Sequence, residues 1–285
     1  MSGDRVDRTG QIIGGRFRID ALIGKGSMAD VYRALDATTN EFVALKILRT
    51  SLDGDPAARQ RFTREAEVQA RLRHRNVASL LATGVTEQTE PYLAMELLRG
   101  KTLRGVIKRE GQLEPRRAAS YTWQALQGLA AVHAAGVLHR DLKPANIMLE
   151  PSVGPTDRVV LIDFGFASVE GSAKLTQQGA IVGSLSYIAP ERLRGEEIDQ
   201  RSDLYAIGII LYELLTGELP FDAANDLDLV DQHLSAPPPP LGPQFPPAFA
   251  ALIERALAKH QEDRFPDALA MAAALEAAAV ELGQS

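Results

Sequence analysis

The sequence predicts an α+β chain in which a strand-rich first third precedes a larger helical remainder. Three observations predict this. Phe17 to Ile23 alternates apolar and polar residues with the two-residue period of a half-buried strand. After Gly100 the chain turns to long runs of good helix formers. Within that part, Leu204 to Leu215 is apolar nearly all round, as a fully buried helix is.

The elements follow in order. Residues 1–10 are polar and charged and read as a flexible tail, without the apolar run of a signal peptide. A glycine turn follows the first strand and leads to a second, Val31 to Leu35. The turn Thr38-Thr39-Asn40 opens a third, Glu41 to Leu48. Pro56 sits near the start of a helix reaching Arg73, with Phe62, Ala66, Val68, Ala70 and Leu72 as its apolar positions. Leu80 to Gly84 and Tyr92 to Leu97 read as two more strands. Arg116 to Ala135 is a helix stopped by Gly136. Leu252 to Ala258 and Ala268 to Leu282 are further helices. The proline run Pro237 to Pro240 reads as a stiff connector rather than a polyproline ligand.

Composition bounds the function. The length of 285 residues suits one large domain or two small ones. A net charge of -6 argues against a nucleic-acid partner, which needs a basic face. The absence of cysteine excludes disulfides and thiolate metal sites and fits a reducing, cytoplasmic setting. The most apolar stretch, Ala268 to Val280, is too short to span a bilayer and contains Glu276. No membrane contact is expected within this chain, although a membrane-anchored parent protein is compatible with it.

The segment His139-Arg140-Asp141-Leu142-Lys143-Pro144-Ala145-Asn146, followed by Asp163-Phe164-Gly165, carries the chemistry. It sets two carboxylates, a lysine and a carboxamide at spacings suited to phosphoryl transfer from a metal-bound nucleotide. Asp141 can take a proton from a hydroxyl nucleophile, and Lys143 can sit beside the transferring phosphate. Asn146 and Asp163 can hold the metal. Upstream, Ile23-Gly24-Lys25-Gly26-Ser27-Met28-Ala29-Asp30-Val31 lies between two strands and ahead of Val43-Ala44-Leu45-Lys46. Glycines there let a backbone approach phosphate, although the plainest reading of the loop alone is a hairpin turn.

With these motifs the chain resembles the protein kinases over about Gly15 to Leu282. Arg61-Phe62-Thr63-Arg64-Glu65-Ala66, the methionine in the glycine loop and Leu175-Thr176-Gln177 resemble the bacterial eukaryotic-type serine/threonine kinases. The resemblance implies a bilobal fold: a small β-rich N-lobe with one main helix over residues 11–97, and a larger helical C-lobe over 98–285. It implies ATP and Mg2+, with Mn2+ as the other candidate ion, and serine or threonine side chains of protein substrates as acceptors. Self-association for phosphorylation in trans also belongs to that picture.

Residue by residue, the resemblance gives Lys46 the nucleotide phosphates and pairs it with Glu65, with Glu67 as the competitor. The loop from Ile23 to Val31 covers the phosphates, with Ala29 where the family has its third glycine. Val31 and Ala44, with Met148, flank the adenine. Met95 is the gatekeeper, and Glu96 to Leu98 form the hinge. Gln69 stands where the family packs an apolar side chain. Phe166 to Ala189 resembles an activation loop, with Ser184 toward the catalytic residues. Thr176 is its expected regulatory phosphosite, Ser172 the competitor, and Arg140 the grip on the phosphate. His139, Asp203 and a Glu191–Arg264 ion pair are structural. A pseudokinase scaffold would be expected to lack one of the chemical residues, and none is missing. A small-molecule phosphotransferase would not be expected to carry Ala189-Pro190-Glu191.

Overall fold

The computed structural model describes residues 7–26, 29–49, 56–154, 156–163 and 185–282, apart from the side chains of residues 56–58, 61, 64, 65 and 68. The chain divides into two units, residues 1–73 with 78–99, and residues 74–77 with 100–285.

The first unit is built on a six-stranded antiparallel sheet in the order β1-β2-β3-β4-β6-β5. Its strands are β1 (Ile12–Ile13), β2 (Phe17–Lys25), β3 (Ala29–Asp36), β4 (Glu41–Leu48), β5 (Leu80–Val85) and β6 (Pro91–Glu96). Alternation along β4 sends Val43, Leu45 and Ile47 into one apolar cluster with Phe17, Ile19 and Tyr32. Leu48 points the other way, into a second cluster with Ala29, Leu93 and the Phe62 and Ala66 side chains of helix α1 (Pro56–Arg71). The buried face of α1 therefore runs Phe62, Ala66, Gln69, at the helical spacing of four and three. Ala70, expected among the apolar positions, is exposed. Residues 7–10 also depart from a free tail: Arg8 pairs with Glu90, and the Gly10 amide donates to the Ile19 carbonyl at 2.9 Å.

The second unit is helical around one core. Helix α5 (Gln200–Thr216) is buried from Ser202 to Leu215 and packs against α3 (Pro115–Ala134), α7 (Pro247–Ala256) and α8 (Ala268–Glu281). A small sheet of β7 (Lys101–Thr102), β8 (Ile147–Glu150) and β9 (Arg158–Leu161) carries the functional loops. Three helices were not foreseen: α2 (Leu103–Glu110), α4 (Pro190–Arg194) and α6 (Asp226–Ser235). Two had legible starts, because Thr102 and Asn225 cap α2 and α6 with their side chains. Among the described residues no helix is long and apolar enough to cross a membrane.

Candidate active site

The loop between α3 and β8 carries Asp141, and Asp203 in the first turn of α5 holds it. One Asp203 oxygen accepts the His139 amide and the other the Arg140 amide, each at 2.9 Å. His133 Nε2 approaches the same carboxylate at 2.8 Å. Burial alone would raise the Asp203 carboxyl, but these partners bring it below the usual range, so it is ionised at neutral pH. Arg140 has a φ of 65°, a left-handed conformation that costs a non-glycine residue about 1–3 kcal/mol. The Asp203 bonds and an Arg192 guanidinium on the Arg140 carbonyl, at 2.5 Å, offset that strain. His139 is fully buried, and burial pushes its imidazole below its ordinary value. A neutral packing residue is what that environment favours. Phe164, its expected neighbour, lies outside the described residues.

The structure brings Asp141, Lys143 and Asn146 together. Lys143 Nζ lies 2.7 and 3.0 Å from the two Asp141 oxygens. Asn146 Nδ2 donates to the Asp141 carbonyl at 2.8 Å and to its carboxylate at 2.9 Å. Both amide hydrogens of Asn146 are thereby used, while its Oδ1 accepts no hydrogen bond among the described residues. An amide oxygen and a carboxylate are the kind of hard-oxygen donors that magnesium takes. Asp163 also adopts a left-handed φ, 53°, just beyond β9.

Sequence reasoning missed the residues that position β9. Asn76, 2% exposed, donates to the Val159 carbonyl at 2.6 Å and accepts the Leu161 amide at 2.9 Å. Gln124 of α3 accepts the Val159 amide at 3.1 Å. Gly128 admits this segment, since a Cβ there would meet the Asn76 carbonyl oxygen at 2.6 Å. No motif marks Asn76; its role exists only once the chain has folded.

The expected ion pair is present. Arg264 donates to both Glu191 oxygens, at 2.9 and 2.8 Å, with both side chains almost wholly buried. Burial would raise the Glu191 carboxyl, but Arg264 and the Ser202 hydroxyl hold it below its usual range. A second network, also missed, joins Arg104, Tyr187 and Glu213: the Tyr187 hydroxyl donates to Glu213 at 2.7 Å, as does Arg104 Nη1. It ties α2 and α5 to the short 3-10 turn before Ala189.

In the small unit, Lys46 lies inside β4, between Val31 of β3 and Leu93 of β6. Ala44 pairs with Met95 in the same way. Ile23 and Lys25 lie in the last residues of β2 before Gly26, and Ser27 and Met28 lie outside the described residues. The Gly26 amide donates to the Ala29 carbonyl at 2.9 Å, and a Cβ on Gly26 would meet that oxygen at 2.6 Å. Gly24 faces Val31 across the hairpin. Ala29, at the position of the missing third glycine, is buried beside Phe62, so its methyl group fills core. Glu96 anchors the turn before β5 by accepting the Ser79 amide at 2.8 Å, and Leu98 follows β6. Met148 lies in β8 of the large unit. Gln69 is 1% exposed, with Nε2 3.5 Å from the Met95 sulfur and Oε1 without a protein partner among the described residues. The Glu65 side chain, Ser172, Thr176 and Ser184 lie outside the described residues.

Comparison with known proteins identifies the family. The family described as "Protein kinase domain" matches residues 17–275. Serine/threonine-protein kinase pkn3 of Myxococcus xanthus is 40% identical over 96% of this chain, which spans 52% of that protein. PknA of Mycobacterium tuberculosis is 37% identical over 90% of this chain, which spans 60% of it. PknL of the same species is 37% identical over 99% of this chain and matched over 70% of its own length. The crystal structure of the M. tuberculosis PknI kinase domain, in a single-site mutant, superposes with a TM-score of 0.73 at 27% identity, covering 96% of this chain and all of that one. The chain thus spans only part of these longer relatives, and it belongs to the protein kinase family, among the bacterial serine/threonine kinases.

Proposed function

We propose that this domain transfers the terminal phosphate of ATP to serine and threonine hydroxyls of protein substrates, its own activation loop among them. The observation that carries the reading is the Asp141–Lys143–Asn146 constellation, held by Asp203. Bound magnesium would offset phosphate charge, with Asn146 and Asp163 as its protein ligands and manganese as the substitute ion. Asp141, one-third exposed, accepts the proton of the substrate hydroxyl and orients its oxygen. Lys143 turns from Asp141 toward the oxygens that gain negative charge during transfer. Lys46, steadied by Glu65, holds the nucleotide phosphates, under the loop from Ile23 through Gly24, Lys25, Gly26, Ser27, Met28 and Ala29. Val31, Ala44 and Met148 take the adenine, Met95 bounds its pocket, and Glu96 to Leu98 supply backbone groups. A phosphate on Thr176, or on Ser172, would be gripped by Arg140 and order the loop, with Ser184 bonding toward Asp141. A cytoplasmic site of action, free or tethered through a longer parent chain, fits this chemistry.

The test is incubation of the purified protein with labelled ATP and Mg2+ on a serine/threonine peptide library, followed by phosphosite mapping. Transfer to peptides, with phosphate on Thr176, is the expected result. Binding of nucleotide without transfer would make the domain a scaffold. Activity that rises faster than linearly with protein concentration would support phosphorylation between copies.

A further inference from the structure

We propose that Arg8 is a positioning residue that clasps the two edges of the small unit's sheet and, through the β5–β6 turn, steadies helix α1. It rests on the reading above that Glu65 of α1 sets the position of Lys46. Arg8 precedes β1, at one edge of the sheet, whereas β5 forms the other edge. Arg8 Nη2 nonetheless donates to Glu90 Oε1, in the β5–β6 turn, at 2.6 Å. The sheet must therefore curl until one side chain reaches from edge to edge. Asp30 of β3 lies within electrostatic reach of the same guanidinium.

The contact is buried where it matters. The Glu90 side chain is 1% exposed and that of Arg8 14%. A carboxylate so enclosed needs a cation, and removing one partner leaves the other charged and desolvated. The second Glu90 oxygen is occupied, by the Thr86 hydroxyl at 3.1 Å. The strap behind Arg8 is fastened in turn: the Gln11 amide donates to the Arg8 carbonyl at 2.9 Å, and the Ile19 amide to the Gln11 carbonyl at 2.8 Å.

From Glu90 the path continues by one residue. Thr89 has a φ of 67°, a strained conformation for a β-branched side chain. The Thr89 amide donates to the Thr86 carbonyl at 2.9 Å, which closes the turn. Arg59 of α1 donates to the Thr89 carbonyl at 2.7 Å. Adjacent residues of one strained turn are thus held by the strap and hold the helix. The strap lies upstream of residues 17–275, the part matched by the family, so the family likeness assigns it no role.

The experiment compares the full chain with Arg8→Ala, Arg8→Lys, Glu90→Gln and the Arg8→Ala/Glu90→Gln double variant. Amide hydrogen exchange in residues 56–71 reads the helix directly, and kcat and KM for ATP on a peptide library read its consequence. Arg8→Ala should speed exchange in α1 by about tenfold and lower kcat several-fold. Arg8→Lys should fall between it and the parent. The double variant, with no stranded charge, should recover part of both losses. If Arg8→Ala does not fold, Glu90→Gln alone, which keeps the shape and removes the charge, should still loosen α1. A lowered melting temperature with unchanged α1 exchange and kcat would reduce Arg8 to a structural residue and overturn the proposal. So would a double variant no better than Arg8→Ala. A parent protein that phosphorylates nothing would refute the kinase reading instead, and the exchange measurements would still decide the clasp.

Discussion

The two units hold their functional elements in different ways. In the large unit, the loop carrying Asp141 is fixed by Asp203 on two amides, by Arg192 on a carbonyl and by Asn146 on Asp141 itself. In the same unit a buried bidentate ion pair joins Glu191 to Arg264. In the small unit, α1 rests on Phe62 and Ala66, with the half-satisfied amide of Gln69 beside them and one exposed bond from Arg59 to the Thr89 carbonyl. Directional bonds with low-dielectric surroundings define one geometry. Apolar contacts constrain direction less tightly than such bonds do. By this contrast the Asp141 loop is held by directional bonds, and α1, among the described residues, chiefly by apolar contact.

The largest expected effect tests the fixed side. Asp141→Asn should lower turnover by about 10²–10⁴ while nucleotide affinity persists, because the proposed function has Asp141 serve the nucleophile. Steady-state kinetics with a nucleotide-binding titration would check this, and near-normal turnover would dismiss the role. Lys46→Met should also cost activity, but through misplaced phosphates, so its KM for ATP should rise where that of Asp141→Asn does not.

Next in size, Glu191→Ala should destabilise the large unit by about 3–5 kcal/mol, because it strands a buried guanidinium. Urea unfolding should resolve that loss from any change in α1 exchange; a loss near zero would mean that water replaces the carboxylate.

Near neutrality a smaller effect depends on pH. Burial, with Lys259 nearby, lowers the His233 imidazole from 6.5 to about 3. The unfolded chain then binds a proton that the folded chain refuses between those values. Stability should fall as pH drops below about 6.5, by up to about 1.4 kcal/mol per pH unit down to about 3. His233→Gln should flatten that limb of the denaturation profile; an identical slope in the variant would assign the loss to other groups.

The smallest effect sharpens the comparison from the other side. Gln69→Leu replaces an unsatisfied amide by an apolar group of similar size and should stabilise the small unit by about 1 kcal/mol. Slower hydrogen exchange in α1 would confirm that its docking is weak by composition. Faster exchange would show that the Met95 contact matters more than the unpaired carbonyl.

Much of this was legible in the sequence for local reasons. Strand alternation, the change of period at Pro56 and the all-apolar run in α5 report which faces are buried, and they located most of the strands and the longer helices. The grouping of Asp141, Lys143 and Asn146 was legible because those residues lie within a few positions of one another in the chain. The sequence could not show that the buried face of α1 takes Gln69 in place of Ala70, which depends on how the helix is rotated against β6. It could not show Asn76 serving β9 across 83 positions of chain, or Arg8 meeting Glu90 across 82. Patterning and short motifs act within a turn or a strand, so the chain alone determines them. A hydrogen bond between distant residues exists only where packing brings a donor and a buried acceptor together, and only the tertiary structure decides that.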